Sequence, residues 1–180
     1  MAVRKKENKL DNIKKILLPI DFTEFSQGVF NCAVQVARNS DAKIIVLSII
    51  NSRDIQSVES IVSMGYDVDA EHYVKEIKNE RKQQLNKMAD ETEIDKEKVK
   101  ILFKIGKPVD EILKAIEKEE PDLVVMGTRG RGSLENSVTG SVANKVFKKS
   151  PVNILSYRNK AVQKSLIEKQ KILRKDKKKD

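Results

Sequence analysis

The sequence predicts an α/β protein built on an open, five-stranded parallel sheet with helices on both faces. Three observations carry that expectation. Short apolar runs recur along the chain at 16–20, 43–50, 99–105, 123–126 and 151–155, each bounded by polar or turn-forming residues. Between them lie segments of helical length, most with apolar residues three and four positions apart. The resulting alternation, βαβαβαβαβ, has crossovers long enough to hold a helix, which suits parallel strands joined by right-handed connections.

Residues 1–13 form a basic lead-in, read as disordered over 1–12. The body runs over 14–157 and a basic tail over 158–180. The first strand, Ile-Leu-Leu-Pro-Ile at 16–20, is ended by Asp21, where the strand ends of such sheets open onto a ligand crevice. Thr23 and Ser26 are the expected N-caps of the next helix. That helix carries Phe25, Val29, Cys32, Ala33 and Val36 on its inner face and ends near Asn39. The second strand, at 43–50, is rich in β-branched residues. Residues 51–69 show little periodicity and contain Gly65, so they are expected to be a mobile segment with about one helical turn, placed to act as a flap. A long charged helix is expected over 70–92. Its apolar stripe, Val74, Ile77, Leu85 and Met88, is interrupted near Arg81.

The third strand, 99–105, is closed by Gly106. Pro108 suits the first turn of a helix, and Val109, Ile112, Leu113 and Ile116 form its buried face as far as Glu119. Pro121 and Asp122 turn the chain into the fourth strand, whose unbroken apolar character, Leu123 to Met126, is that of a buried parallel strand. A glycine-rich segment follows, then a helix to Lys149 and a short fifth strand at 151–155. Residues 160–174 read as a helix with a broken stripe of Val162, Leu166, Lys169 and Leu173, and 176–180 as solvated chain.

Hydrophobic residues make up 39% of the 180-residue chain, enough for one domain with a sizeable core. No run of about 18 apolar residues suggests a membrane span, and the polar N-terminus has no signal-peptide core. Cys32 is the single cysteine, so neither an internal disulfide nor a cysteine-based metal cluster is expected. A cytoplasmic protein is the simplest expectation. The net charge of +9 belongs to the ends: +7 lies in 158–180 and +4 in 1–15, leaving the body at −2. Nucleic-acid or anionic membrane binding would therefore rest on the tail, which has no interleaved aromatics for base stacking. Cys32 is expected in the core, and His72, on a polar helix start, at the surface.

The stretch 127–141 carries the chemistry. A strand, a glycine-rich loop and a helix in succession aim backbone N–H groups at an anion. Glycine lets a phosphate approach the main chain with no Cβ in the way. Ser141 adds a hydroxyl, and Arg129 and Arg131 bring charge that either pairs with phosphate oxygens or extends into solvent. The Walker pattern is absent, since Ser133 and Leu134 follow Gly132, and the order of Gly127, Gly130 and Gly132 is not that of the dinucleotide fingerprint. The spacing that fits is G-x-x-G, nine residues, then G-[S/T], at Gly127, Gly130, Gly140 and Ser141.

In that spacing, in the opening Ile-Leu-Leu-Pro-Ile-Asp-Phe-Thr at 16–23, in Pro-Asp-Leu-Val-Val-Met-Gly at 121–127 and in Ser-Pro-Val at 150–152, the chain resembles the universal stress protein family, in its nucleotide-binding branch. The resemblance runs over roughly residues 14–157. It implies an adenine nucleotide alpha hydrolase-like sheet, commonly a homodimer paired through the last strand, that binds ATP, ADP or AMP, with Mg2+ as an accompanying ion. Carried over by position, Gly130, Gly140, Ser141 and Val142 would hold phosphates, with Arg129 beside them. Gly127 and Met126 would lie near the ribose, and Asp21 would touch the ribose or a metal, unless it serves only as a cap or turn residue. The backbone of Ile49 would face the adenine edge, with Pro19 and Ile20 lining the pocket. Asn153 departs from the apolar character expected of the last strand. No catalytic residue is assigned. A regulatory nucleotide binder is the leading expectation, and a slow ATP hydrolase or a tail-mediated nucleic-acid or membrane-surface module the alternatives.

Overall fold

Strand order follows from how the chain buries its apolar runs. A computed structural model describes residues 13–64, 69–128, 130 and 139–176. Five parallel strands, β1 (Lys15–Ile20), β2 (Lys43–Asn51), β3 (Val99–Gly106), β4 (Leu123–Gly127) and β5 (Asn153–Tyr157), lie in the order β3-β2-β1-β4-β5. The chain moves outward from β1 to β3, crosses back to β4 on the other side of β1, and continues to β5. If every crossover is right-handed, reversing the direction of travel must move the helices to the opposite face.

The packing agrees with that rule. Helices α1 (Ser26–Ser40) and α3 (Ala70–Asp90) share one core with Ile16, Leu18 and Val46, through Phe30, Ala33, Leu85 and Met88. Helices α4 (Pro108–Glu119) and α5 (Ser141–Lys149) share the other with Leu17, Leu47 and Val124, through Ile112, Ile116, Ala143 and Val146. Alternate residues of β1 thus point to opposite faces, and the central strands must be apolar on both. The β1–β4 contact is also held at its start, where the Lys14 and Lys15 amides donate to Asp122 Oδ2 at 2.8 and 2.9 Å.

Several expectations are corrected. Residues 51–69 are largely helical: α2 spans Ser52–Ser63, while 65–68 lie outside the described residues. Asn51 Oδ1 accepts from the Arg53 amide at 3.1 Å and so begins the helix. The serines that made the segment look irregular are absorbed by it, since the Ser57 and Ser60 hydroxyls donate to the carbonyls four residues back. Neither Thr23 nor Ser26 caps α1. Its N-cap is Phe25, with no side-chain cap bond, because both hydroxyls donate instead to Asp21. The inner face of α1 is shifted toward Phe30, Val34 and Ala37, which leaves Cys32 half-buried, with desolvation raising its thiol pKa.

The fifth strand begins two residues later than expected. The Ser150 hydroxyl accepts from the Val152 amide and donates to its carbonyl, so Pro151 and Val152 form a bend before pairing starts at Leu123↔Asn153. Past it, Arg158 and Asn159 lead into α6 (Lys160–Asp176), in which Val162 is buried.

The two-sided core sets the stability. Leu17→Ala, at a fully buried central position, is expected to cost about 2–5 kcal/mol, whereas Ile105→Ala, 49% exposed on an edge strand, stays within about 0.5 kcal/mol. Urea denaturation of the two variants beside the wild type checks the contrast.

Candidate functional site

Because β1 and β4 are neighbours whose crossovers leave in opposite directions, their C-terminal ends splay onto an uncovered crevice. A cavity of about 820 Å³ opens there, within the range of small-molecule sites. Of the eleven residues that the sequence singled out, ten line it. Pro19, Ile20 and Asp21 come from the end of β1, and Ile49 from the end of β2. Met126 and Gly127 end β4, and Gly130 follows; Gly140, Ser141 and Val142 open α5. The eleventh, Arg129, lies outside the described residues, as does Arg131.

The glycine-rich excursion is closed at its base. The Gly140 amide donates to the Thr128 carbonyl at 2.7 Å, and the Thr128 amide donates to the Tyr157 carbonyl at 3.1 Å. The chain therefore leaves the end of β4 and returns to the same point to start α5. The Gly140 amide is already committed, so its contribution to a ligand would be close approach rather than donation. As N-cap of α5, Gly140 brings no side-chain acceptor to the first turn. The N–H groups of Ser141, Val142 and Ala143, which no helix can satisfy internally, thus carry the positive end of the helix dipole toward the cleft.

Asp21 and Gly130 meet across the crevice. Asp21 Oδ1 accepts from the Thr23 hydroxyl at 2.9 Å and the Ser26 hydroxyl at 3.3 Å, which fixes the carboxylate in a tight turn. Phe22, inside that turn, has a left-handed backbone at φ 57°, a costly conformation for a bulky residue. A Cβ placed on Gly130 would lie 2.5 Å from Asp21 Oδ2, so any other residue there must displace the carboxylate. The turn reading of Asp21 holds for one oxygen, while the other faces the loop.

Charged groups that the sequence reading passed over complete the lining. Arg53, Lys107, Lys145 and Lys149 contribute exposed cations, against the carboxylates of Asp21, Asp54 and Asp110. Lys145 and Lys149 stand four apart on α5, a spacing that could have marked them as one face. Arg81 is only 4% exposed. Its Nη1 donates to Ser48 Oγ at 2.8 Å and to the Ile49 carbonyl at 3.1 Å, and the guanidinium sits 5.7 Å from the centre of the Phe22 ring. The interruption of the α3 stripe is thus a buried cation in the cleft wall. His72 is exposed, 3.1 Å from Glu76, and takes no part. Among the described residues no group of three or more His, Cys, Asp or Glu is clustered to hold a metal, and no helix is long and apolar enough to cross a membrane.

The model of the universal stress protein family matches residues 12–158. A universal stress protein of Methanocaldococcus jannaschii is 31% identical over 157 residues, covering 81% of this chain and 96% of the relative. A putative universal stress protein of Staphylococcus aureus is 28% identical over 146 residues, covering 81% and 84%. Among solved structures, a universal stress protein from Lactobacillus plantarum superposes with a TM-score of 0.63 at 22% identity, covering 82% and 99% of the two chains. A universal stress protein described as a complex with cAMP superposes at 0.56 with 18% identity, covering 82% and 98%.

The Asp21–Gly130 contact gives a direct structural test. Gly130→Ala should cost about 1–2 kcal/mol in the wild type and close to nothing when Asp21→Ala has already removed the carboxylate. A double-mutant cycle by chemical denaturation reads that coupling.

Proposed function

The chain belongs to the universal stress protein family, and we propose that it binds an adenine nucleotide, ATP foremost, in the cleft over β1 and β4, as a regulatory protein rather than a rapid catalyst. The observation that carries the reading is the G-x-x-G-x(nine)-G-S spacing at the mouth of a helix with no side-chain cap, with Gly130 set so close to Asp21 that a Cβ would press on its carboxylate. The cAMP complex of a structural neighbour supports the ligand class.

The lining divides into two chemical ends. At one, the first turn of α5, the Ser141 hydroxyl and the lysines at 145 and 149 suit a polyphosphate, which is an array of anionic acceptors. At the other, Pro19, Ile20 and Ile49 give apolar surface suited to a ribose and base. Charge count favours ATP over a cyclic monophosphate: four exposed cationic side chains, Arg53, Lys107, Lys145 and Lys149, against three carboxylates line the cleft, and each added phosphate gains from that excess. Asp21, at the phosphate end, is the carboxylate that a Mg2+ ion shared with the phosphates would meet. Such an ion needs only one or two protein carboxylates when phosphate oxygens and water complete its shell. On the same family reading, two copies pair along the open edge of β5. Asn153 and Ser156 are exposed there and would be tolerated.

Gly140 provides the test. Its backbone, φ −64° and ψ 154°, is open to any residue, so Gly140→Val should leave the fold intact. The added side chain would stand in front of the α5 amides. Isothermal titration with ATP should show saturable binding to the wild type and at least about a tenfold weaker dissociation constant in the variant, the loss of one or more charge-assisted hydrogen bonds. Equal affinities, or no binding by the wild type, would overturn the proposal.

A further inference from the structure

Four of the five cationic side chains around the cleft are exposed, as expected for groups meant to attract an anion. Arg81 is the exception. A cation buried to 4% exposure is costly, and an apolar side chain of similar volume would serve packing as well or better. Its contacts give it a different role. One guanidinium nitrogen bridges Ser48 Oγ and the Ile49 carbonyl, near the C-terminal end of β2. The planar group also lies over the ring of Phe22, next in sequence to Asp21 at the tip of β1. A single side chain from α3 therefore ties together the two strand ends beneath the apolar end of the cleft, and it does so where Phe22 holds an unfavourable backbone conformation.

We infer that Arg81 is a positioning residue for the nucleoside end of this site: it fixes the Ile49 carbonyl and the Phe22 ring, and so governs affinity for the nucleoside while leaving the phosphate end alone. The inference rests on the nucleotide reading above. Arginine suits the task because one rigid plane both donates in a fixed direction and stacks on an aromatic face. Lysine offers a flexible point charge with no plane. The phosphate end depends on α5, which packs on the opposite face of the sheet from α3.

The test compares three probes, ATP, adenosine and inorganic tripolyphosphate, on the full chain as wild type, Arg81→Met and Arg81→Lys. Methionine matches arginine in helix propensity and approximates its reach, so the free variant should melt close to the wild type. The expected result is about a tenfold loss of affinity for ATP and for adenosine in Arg81→Met, a smaller loss in Arg81→Lys, and unchanged affinity for tripolyphosphate. Adenosine is uncharged, so a loss of its affinity reports positioning and not the missing charge. Equal losses for all three probes would overturn the inference, because Arg81 would then contribute only general charge or stability. Unchanged affinity for ATP and adenosine would overturn it as well. If Arg81→Met fails to fold, the comparison of adenosine with tripolyphosphate in Arg81→Lys decides by the same criterion. A wild type that binds none of the probes removes the nucleotide reading itself and this inference with it; normal wild-type binding with an unaffected variant removes this inference alone.

Discussion

The rest of the structure depends on β1 lying beside β4 in parallel. That pairing joins segments a hundred residues apart, and three things hold it. Leu17 and Val124 are fully buried at neighbouring positions, the ladder sets their register, and the carboxylate of Asp122 gathers the amides of Lys14 and Lys15. Once the two strands are neighbours, crossovers of one hand must depart to opposite faces. No helix can then cover the C-terminal ends between them. The cleft is the geometric remainder of that constraint, and the residues around it are those that happen to end strands: Asp21, Ile49 and Gly127.

Two kinds of group face one another across the cleft. On the α5 side the chain offers main-chain donors, released by a glycine N-cap and held in place by the bond from the Gly140 amide to the Thr128 carbonyl. On the β1–β2 side it offers a stiff floor, with Asp21 bound by Thr23 and Ser26, Phe22 in a left-handed turn and Arg81 beneath. Gly130 brings the sides within contact distance. Rigid donors and a rigid floor are what a small anionic ligand needs if its binding is not to be spent on ordering the protein.

Much of this could be read from the sequence, for identifiable reasons. Strands buried on both faces are unbroken apolar runs, so β1, β2 and β4 announced themselves, and the glycine spacing after β4 marked where the chain must come close to something. What escaped notice depended on contacts distant in sequence. The segment after β2 carries so many serines that its helix, α2, was hidden; their hydroxyls turn back on the backbone only once the helix exists. Thr23 and Ser26 looked like caps because nothing local revealed that Asp21 would claim both hydroxyls. Arg81 looked like a flaw in an amphipathic stripe, although a lone charge at an inward position should itself signal a buried partner. Here the partners are Ser48 and Ile49, more than thirty residues away.

The central claim is that the first turn of α5 and the glycine beside Asp21 grip the phosphates of a nucleotide. Titrating ATP into isotope-labelled protein and following backbone amide resonances tests it residue by residue. The account predicts the largest shifts at Gly130, Ser141, Val142 and Ala143, with smaller ones at Ile49 and Phe22 where the nucleoside would lie. Shifts confined to the basic tail, with those amides unmoved at saturating ATP, would contradict it.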